Sequence, residues 1–203
     1  MASNTTENPF LATWVDTSAH MFSSVVTAHR VAAATMGVQL TDTDEATREA
    51  VDRIGAGETL SEWAVERSEH DPTRLEVGDS VEFTKTIAAT DVRQFAAASG
   101  DTNPLHLDEA FAEQTRFQER IGHGTLAGGL ISAALARLPG LTIYLSQDLE
   151  FHNPVGIGER LTAECEIVEE LADHQYRLST SVVDDSDVLI DGEAVVLVDD
   201  HLE

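Results

Sequence analysis

The segment "HGTLAGGLISAALARL", His123 to Leu138, constrains the fold more than any other stretch of the chain. Leu126, Leu130, Ala134, Leu135 and Leu138 make one apolar side, whereas Gly128, Gly129, Ser132 and Ala133 keep the profile thin. Glycine inside a helix costs about 1 kcal/mol against alanine. That loss makes sense for a helix that lies tight against a sheet or a partner. Pro139 and Gly140 end the segment.

Strand-like segments follow: "TIYLSQDLEF", "ERLTAECEIVEEL", "YRLSTSVVDD" and "VLIDGEAVVLV". Turns are expected at Asn153–Gly158, Ala172–His174 and Asp184–Asp187. Leu161, Ala163, Cys165 and Ile167 alternate with polar residues, as do Tyr176, Leu178, Thr180 and Val182. This pattern predicts an antiparallel sheet with one covered face. Ahead of the helix, Val81, Phe83 and Ile87 predict another strand. Thr90 is expected to cap a helix carrying Val92, Phe95 and Ala96, which Gly100 ends, and a short helix is expected near Ala110 to Thr115. A strand, a long helix and then a meander imply a sheet wrapped around that helix, an α+β fold.

Residues 1 to about 73 have a different pattern. Asn8 and Pro9 predict a helix start, with Leu11, Trp14, Val15, Phe22, Val25, Val26, Ala33 and Met36 at helical spacing and a stop at Gly37. A second helix is predicted from Asp42 to Gly55, and a third where Thr59 and Glu62 form a capping-box pattern ahead of Trp63 and Val65. The turn-rich stretch "HDPTRLEVGDS" marks the boundary.

With 203 residues, of which 42% are hydrophobic, the chain can build one domain of ordinary size plus an extension. Its 37 acidic residues against 12 basic ones give a net charge of −25, and Lys85 is the single lysine. Such a surface repels nucleic acid and anionic membrane, so neither is an expected partner. The acids are spread along the chain, which suggests adaptation to a cytoplasm kept at high salt; an ordinary acidic protein is the alternative. No apolar run is long enough to enter and cross a bilayer, and no basic-then-apolar leader opens the sequence, so a cytoplasmic location is expected. One cysteine, Cys165, allows no internal disulfide framework and no zinc-site spacing, so no metal is expected and its role is that of a small core residue.

The chemistry concentrates in "SGDTNPLHLD", Ser99 to Asp108. Asp101 and His106 are two groups able to exchange protons with one water, and Pro104 between them stiffens the turn. Taken singly, each is an ordinary loop residue. Gly124 opens the long helix, where backbone N–H groups lack helical partners and carry the positive end of the dipole. A glycine there admits the close approach of an electronegative atom.

"FAAASGDTNPLHLDEAFA", "IGHGTLAGGLISAAL" and "IYLSQDLEFHNPVGIGE", in that order, resemble the MaoC-type hot-dog family and within it the (R)-specific enoyl-CoA hydratases. The resemblance runs from about Val77 to Val198, so residues 1–73 read as an N-terminal helical extension and 74–203 as the hot-dog domain. It implies an antiparallel sheet around a central helix, a homodimer, and an active site near the subunit interface. It also implies reversible syn hydration of trans-2-enoyl-CoA to (R)-3-hydroxyacyl-CoA, feeding polyhydroxyalkanoate synthesis or fatty-acid turnover. Asp101 and His106 are then the catalytic dyad, Ser132 supports them by hydrogen bonding, and Gly124 N–H is the oxyanion donor. Asp101 is expected to take the water proton and His106 to hold that water and supply the second proton; the reverse division stays open.

No cofactor is expected, coenzyme A being part of the acyl-CoA thioester substrate. Arg116 or Arg120 could reach its phosphates, although both also read as solvated charges. His123 is expected to cap the helix or line its mouth without a proton-transfer role, and His152 and Asn153 to form a turn beside the substrate channel. A hot-dog acyl-CoA thioesterase and a non-catalytic binding or scaffolding subunit are the competing functions. Residues 9–36 are expected to cover sheet within the dimer or to dock on a polyester granule or a protein partner.

Overall fold

The computed structural model describes residues 55, 59–68, 75–171 and 174–199. The chain divides into two units, Met1–Ile54 and Gly55–Glu203, and all described residues lie in the second. The helices expected over residues 9–36 and 42–54 lie outside the described residues.

The elements run β1 (Ala64–Arg67), β2 (Ser80–Thr86), α1 (Ala89–Ser99), α2 (Pro104–Leu107), α3 (Glu109–Ala112), β3 (Ile121–Gly122), α4 (Gly124–Leu135), β4 (Leu141–Phe151), β5 (Val155–Gly156), β6 (Arg160–Glu170), β7 (Gln175–Val183) and β8 (Val188–Asp199). The main sheet has six strands in the order β1-β2-β6-β7-β8-β4, every neighbouring pair antiparallel. β3 and β5 form a separate two-stranded ribbon.

The expected alternation determines which face is covered. Leu161, Ala163, Cys165 and Ile167 of β6 and Leu178 and Val182 of β7 are buried with Val81 and Phe83 of β2. Against them lies α4, whose Ala127, Leu130, Ile131, Ala134 and Leu135 are buried in the same core. A fully buried Ile131 or Leu178 contributes roughly 1.5–3 kcal/mol through the apolar area it removes from water. The thin helix profile is used at Gly128, where an added Cβ would come within 3.1 Å of Leu149 Cδ1 on β4. Cys165 is a free thiol that is 2% exposed, and burial, with a smaller effect from Glu164, pushes its pKa up to about 12.

Three local expectations need correction. The third predicted helix is absent: Trp63 N–H closes one turn onto Leu60 O, and the chain then extends into β1, pairing Val65 with Phe83. Trp63 and Val65 suit a strand, and the free side of β2 outweighs the local capping pattern. Trp63 packs edge-on against Phe83 at 5.5 Å, and the Arg137 guanidinium lies 4.6 Å from the Phe83 centroid. The sheet therefore starts ahead of the boundary expected near residue 73. At α1 the cap is made by the Asp91 carboxylate, which accepts from Ala88 N–H at 2.8 Å, rather than by Thr90. The strands after α4 are not a simple meander either. β6, β7 and β8 are, but β4 crosses to the far edge and pairs with β8.

The opposite face of the sheet is acidic. Across the six strands Glu66, Glu82, Glu164, Ser181, Asp191 and Glu150 stand opposite one another in sequence, a row of carboxylates broken only by Ser181. From Glu82 to Glu150 the row borders a trough of about 870 Å³ shared with Asp148, Glu166 and Glu193. Partial burial, then the charges of Glu164 and Glu66, raise the Glu82 carboxyl above its ordinary range.

Candidate active site

The Ser99–Asp108 segment is shaped by its own side chains. Gly100 takes a left-handed φ of 80° and ends α1 by donating to Ala96 O at 2.9 Å, a conformation that favours glycine. Asp101 N–H donates to Ser99 Oγ at 3.1 Å, and Asn103 N–H donates to Asp101 Oδ1 at 3.2 Å. Asn103 Oδ1 then caps α2 by accepting from Leu105 N–H at 3.1 Å, with Pro104 in its first turn. The expected turn is thus partly a helical turn, and the D-x-N-P-x-H spacing sets Asp101 before it and His106 within it.

His106 is 9% exposed, and its Nδ1–H donates to Ile121 O of β3 at 2.8 Å. That bond leaves Nε2 as the nitrogen available for proton exchange. The His106 ring lies on the His123 ring, centroids 3.9 Å apart and planes 33° from parallel. His123 Nε2–H donates to Asp101 O at 3.0 Å and stands 4.0 Å from Asp101 Oδ2. Each of Asp101, His106 and His123 places one carboxylate oxygen or ring nitrogen within 4.8 Å of the others'. The Asp101 side chain is 49% exposed, so the cluster opens to solvent on the acid's side.

Gly124 follows immediately as the first residue of α4, and the His123 side chain does not cap the helix, correcting one of the two roles expected for it. A Cβ on Gly124 would lie 2.8 Å from the Phe151 ring, so the ring packs against a bare Cα. The two dyad candidates and the start of the helix therefore lie together, because Ile121, His123 and Gly124 are nearly consecutive.

Ser132 is placed differently. It lies on the exposed stripe of α4 with Thr125, Gly129 and Ala136, about 12 Å along the axis from Gly124. Among the described residues its hydroxyl has no hydrogen-bond partner, so the implied bond to the dyad is not formed within this chain. Arg116 is exposed with its guanidinium 4.8 Å from the Phe117 centroid. Arg120 is not the solvated charge expected: its side chain is 18% exposed and Nε is paired with Glu109 at 2.8 Å. His152 pairs with Asp191 at 2.8 Å, and this hydrogen bond raises its pKa. With Glu150 these two make a second, exposed cluster of metal-ligand types.

Residues 73–188 match the MaoC like domain family. The 3-hydroxybutyryl-CoA dehydratase of Methylorubrum extorquens is 43% identical over 127 residues, 61% of this chain and 81% of that protein. The (R)-specific enoyl-CoA hydratase of Aeromonas caviae is 44% identical over 126 residues, 60% of this chain and 94% of that protein. The solved structure of R-hydratase PhaJ1 from Pseudomonas aeruginosa in its unliganded form superposes with a TM-score of 0.60 at 44% identity, covering 66% of this chain and 88% of that one. Helix, sheet, motif order and the match over residues 73–188 lead to one assignment: this chain belongs to the MaoC-like family and carries its hot-dog fold.

Proposed function

We propose that the protein is a hydro-lyase that reversibly adds water to a trans-2-enoyl-CoA to give the (R)-3-hydroxyacyl-CoA. The observation that carries this reading is that Asp101, His106 and His123, the residue immediately ahead of α4, each place a carboxylate oxygen or ring nitrogen within 4.8 Å of the others', with Asp101 open to solvent. A water held between the Asp101 carboxylate and His106 Nε2 gives up one proton to Asp101 as its oxygen bonds to Cβ. His106, which takes up a solvent proton on Nε2 before the step while its Nδ1–H stays on Ile121 O, delivers that proton to Cα on the same face, so the pair ends with as many protons as it began with. The reverse division of the two roles gives the same balance. Negative charge that builds on the thioester oxygen is met by Gly124 N–H and the positive end of α4, worth roughly 3–4 kcal/mol in comparable sites.

Relatives named for CoA-linked hydration and dehydration support the substrate class. A place in polyhydroxyalkanoate supply or fatty-acid turnover, in the cytoplasm, belongs to the same proposal. No helix among the described residues is long and apolar enough to cross a membrane. The assembly proposed is a homodimer joined along β4, an edge strand with Leu141, Ile143, Tyr144, Leu145 and Phe151 exposed. Ser132 is assigned a supporting role there, on the exposed side of α4. Docking through residues 9–36 is proposed for a polyester granule or a protein partner.

Crotonyl-CoA tests the reaction, with enoyl absorbance and free thiol followed in parallel. Loss of absorbance without thiol is expected, whereas thiol release with the enoyl group intact would replace hydration by thioester hydrolysis. Asp101→Asn and His106→Ala should each lower kcat by about 10²–10⁴-fold with the fold intact. Wild-type rates in either variant would remove the dyad.

A further inference from the structure

We infer that His123 is the positioning residue of this site, fixing the acid and the imidazole of the dyad relative to each other; this rests on the hydratase reading above. The side chain is 1% exposed and touches both partners by different means. Its Nε2–H holds the backbone carbonyl of Asp101 at 3.0 Å, across a sequence separation of 22 residues. Its ring face supports His106 at 3.9 Å, and Phe95 closes against it at 4.9 Å. Its own carbonyl accepts from Leu126 and Ala127 N–H, so the same residue is built into the first turn of α4 that presents Gly124. Acid, imidazole and helix start are thereby referred to one rigid group.

The remaining nitrogen fixes the chemistry of that group. His123 Nδ1 is buried without a hydrogen-bond partner among the described residues. Nε2 must carry hydrogen to donate to Asp101 O, so a second hydrogen on Nδ1 would be buried with nothing to accept it. His123 therefore acts as a donor and a packing surface and does not exchange protons with substrate. His106 has the opposite arrangement, with hydrogen on Nδ1 and Nε2 available. Two stacked rings with opposite tautomers make a signature that a simple core histidine lacks.

Three substitutions separate the contributions. His123→Phe keeps an aromatic ring and removes the donor. His123→Gln places a side-chain N–H close to where Nε2 stands and removes the ring. His123→Leu removes both. A misplaced reacting group costs about 10²-fold in rate. His123→Phe is therefore expected to lower kcat for crotonyl-CoA by about that factor with KM changed less than threefold, and His123→Gln to recover at least tenfold of the loss. His123→Leu should be the slowest. Wild-type kcat in His123→Phe, or a loss confined to KM, would overturn the assignment. Should His123→Phe fail to fold, His123→Gln decides alone: kcat within tenfold of wild type supports the donor role, and a loss of 10²-fold or more overturns it.

Nitrogen NMR of the histidine-labelled wild-type protein reads the same inference without turnover. Hydrogen on Nε2 of His123 and on Nδ1 of His106 is expected, and hydrogen on Nδ1 of His123 overturns it. A wild-type protein that shows these tautomers but leaves crotonyl-CoA unchanged would remove the hydratase reading while leaving the positioning geometry in place.

Discussion

The two faces of the six-stranded sheet are made from alternate residues of the same strands, yet they obey opposite rules. The face under α4 carries Val81, Phe83, Leu161, Ile167, Leu178 and Val196, all 2% exposed or less. The other face carries the cross-strand row of Glu66, Glu82, Glu164, Asp191 and Glu150 around Ser181. Directly opposed like charges destabilise a sheet, by up to about 1 kcal/mol a pair. The covered face must therefore supply the stability that the row subtracts. One face specifies the fold, and the other carries charge that works against it.

Substitutions on each face test that contrast. Leu178→Ala should cost the most, about 2–5 kcal/mol by chemical denaturation, with a similar loss at low and at molar salt. A loss below 1 kcal/mol would mean the helix-covered face is not the main source of stability. Gly192→Ala comes next: its Cβ would run into the Asp148 carbonyl across the β8–β4 pair, and about 1–3 kcal/mol of overpacking is expected. An unperturbed melting temperature would show that β4 moves away freely.

Glu164→Gln should act in the opposite direction. Removing the central charge of the row is expected to stabilise by up to about 1 kcal/mol in dilute buffer and by nearly nothing at molar salt. The wild-type protein should accordingly melt lower in dilute buffer than in concentrated salt. Equal melting temperatures in both would end the proposal of adaptation to a high-salt cytoplasm.

The smallest effect is a pH dependence at Glu82. Its carboxyl is raised in the fold, so the folded state binds that proton more tightly than the unfolded chain. The resulting stability is complete below the ordinary glutamate pKa of about 4.3 and is lost as pH rises through the raised value. Glu82→Gln should match wild type in acid and exceed it at neutral pH, by a few tenths of a kcal/mol at low salt. A difference that is constant with pH would show that Glu82 does not titrate against its neighbours.

The sequence made one face far more legible than the other. Period-two alternation in β6 and β7 identified the buried residues, and the glycines and alanines of α4 marked a helix lying close to a sheet. The acidic row was invisible because it depends on register across six strands, which alternation within one strand does not reveal. β1 was misread as helix because a four-residue strand carries little pattern of its own and is held by pairing with β2. β4 was placed wrongly for a related reason, its partner β8 lying far along the chain. At the site, D-x-N-P-x-H and the glycine opening α4 were readable because their arrangement is set by local turns. The second contact of His123 was not, since its link to Asp101 joins distant segments; its place immediately before Gly124 was the only signal.

The solitary thiol at the centre of the sheet has a practical consequence. Cys165 sits between β2 and β7 on the covered side, with its pKa pushed up to about 12. An alkylating reagent needs the thiolate and access to it, and neither is on offer while the strands remain together. The rate of labelling thus becomes a clock for strand separation, readable by mass spectrometry at any salt concentration and with no dye attached.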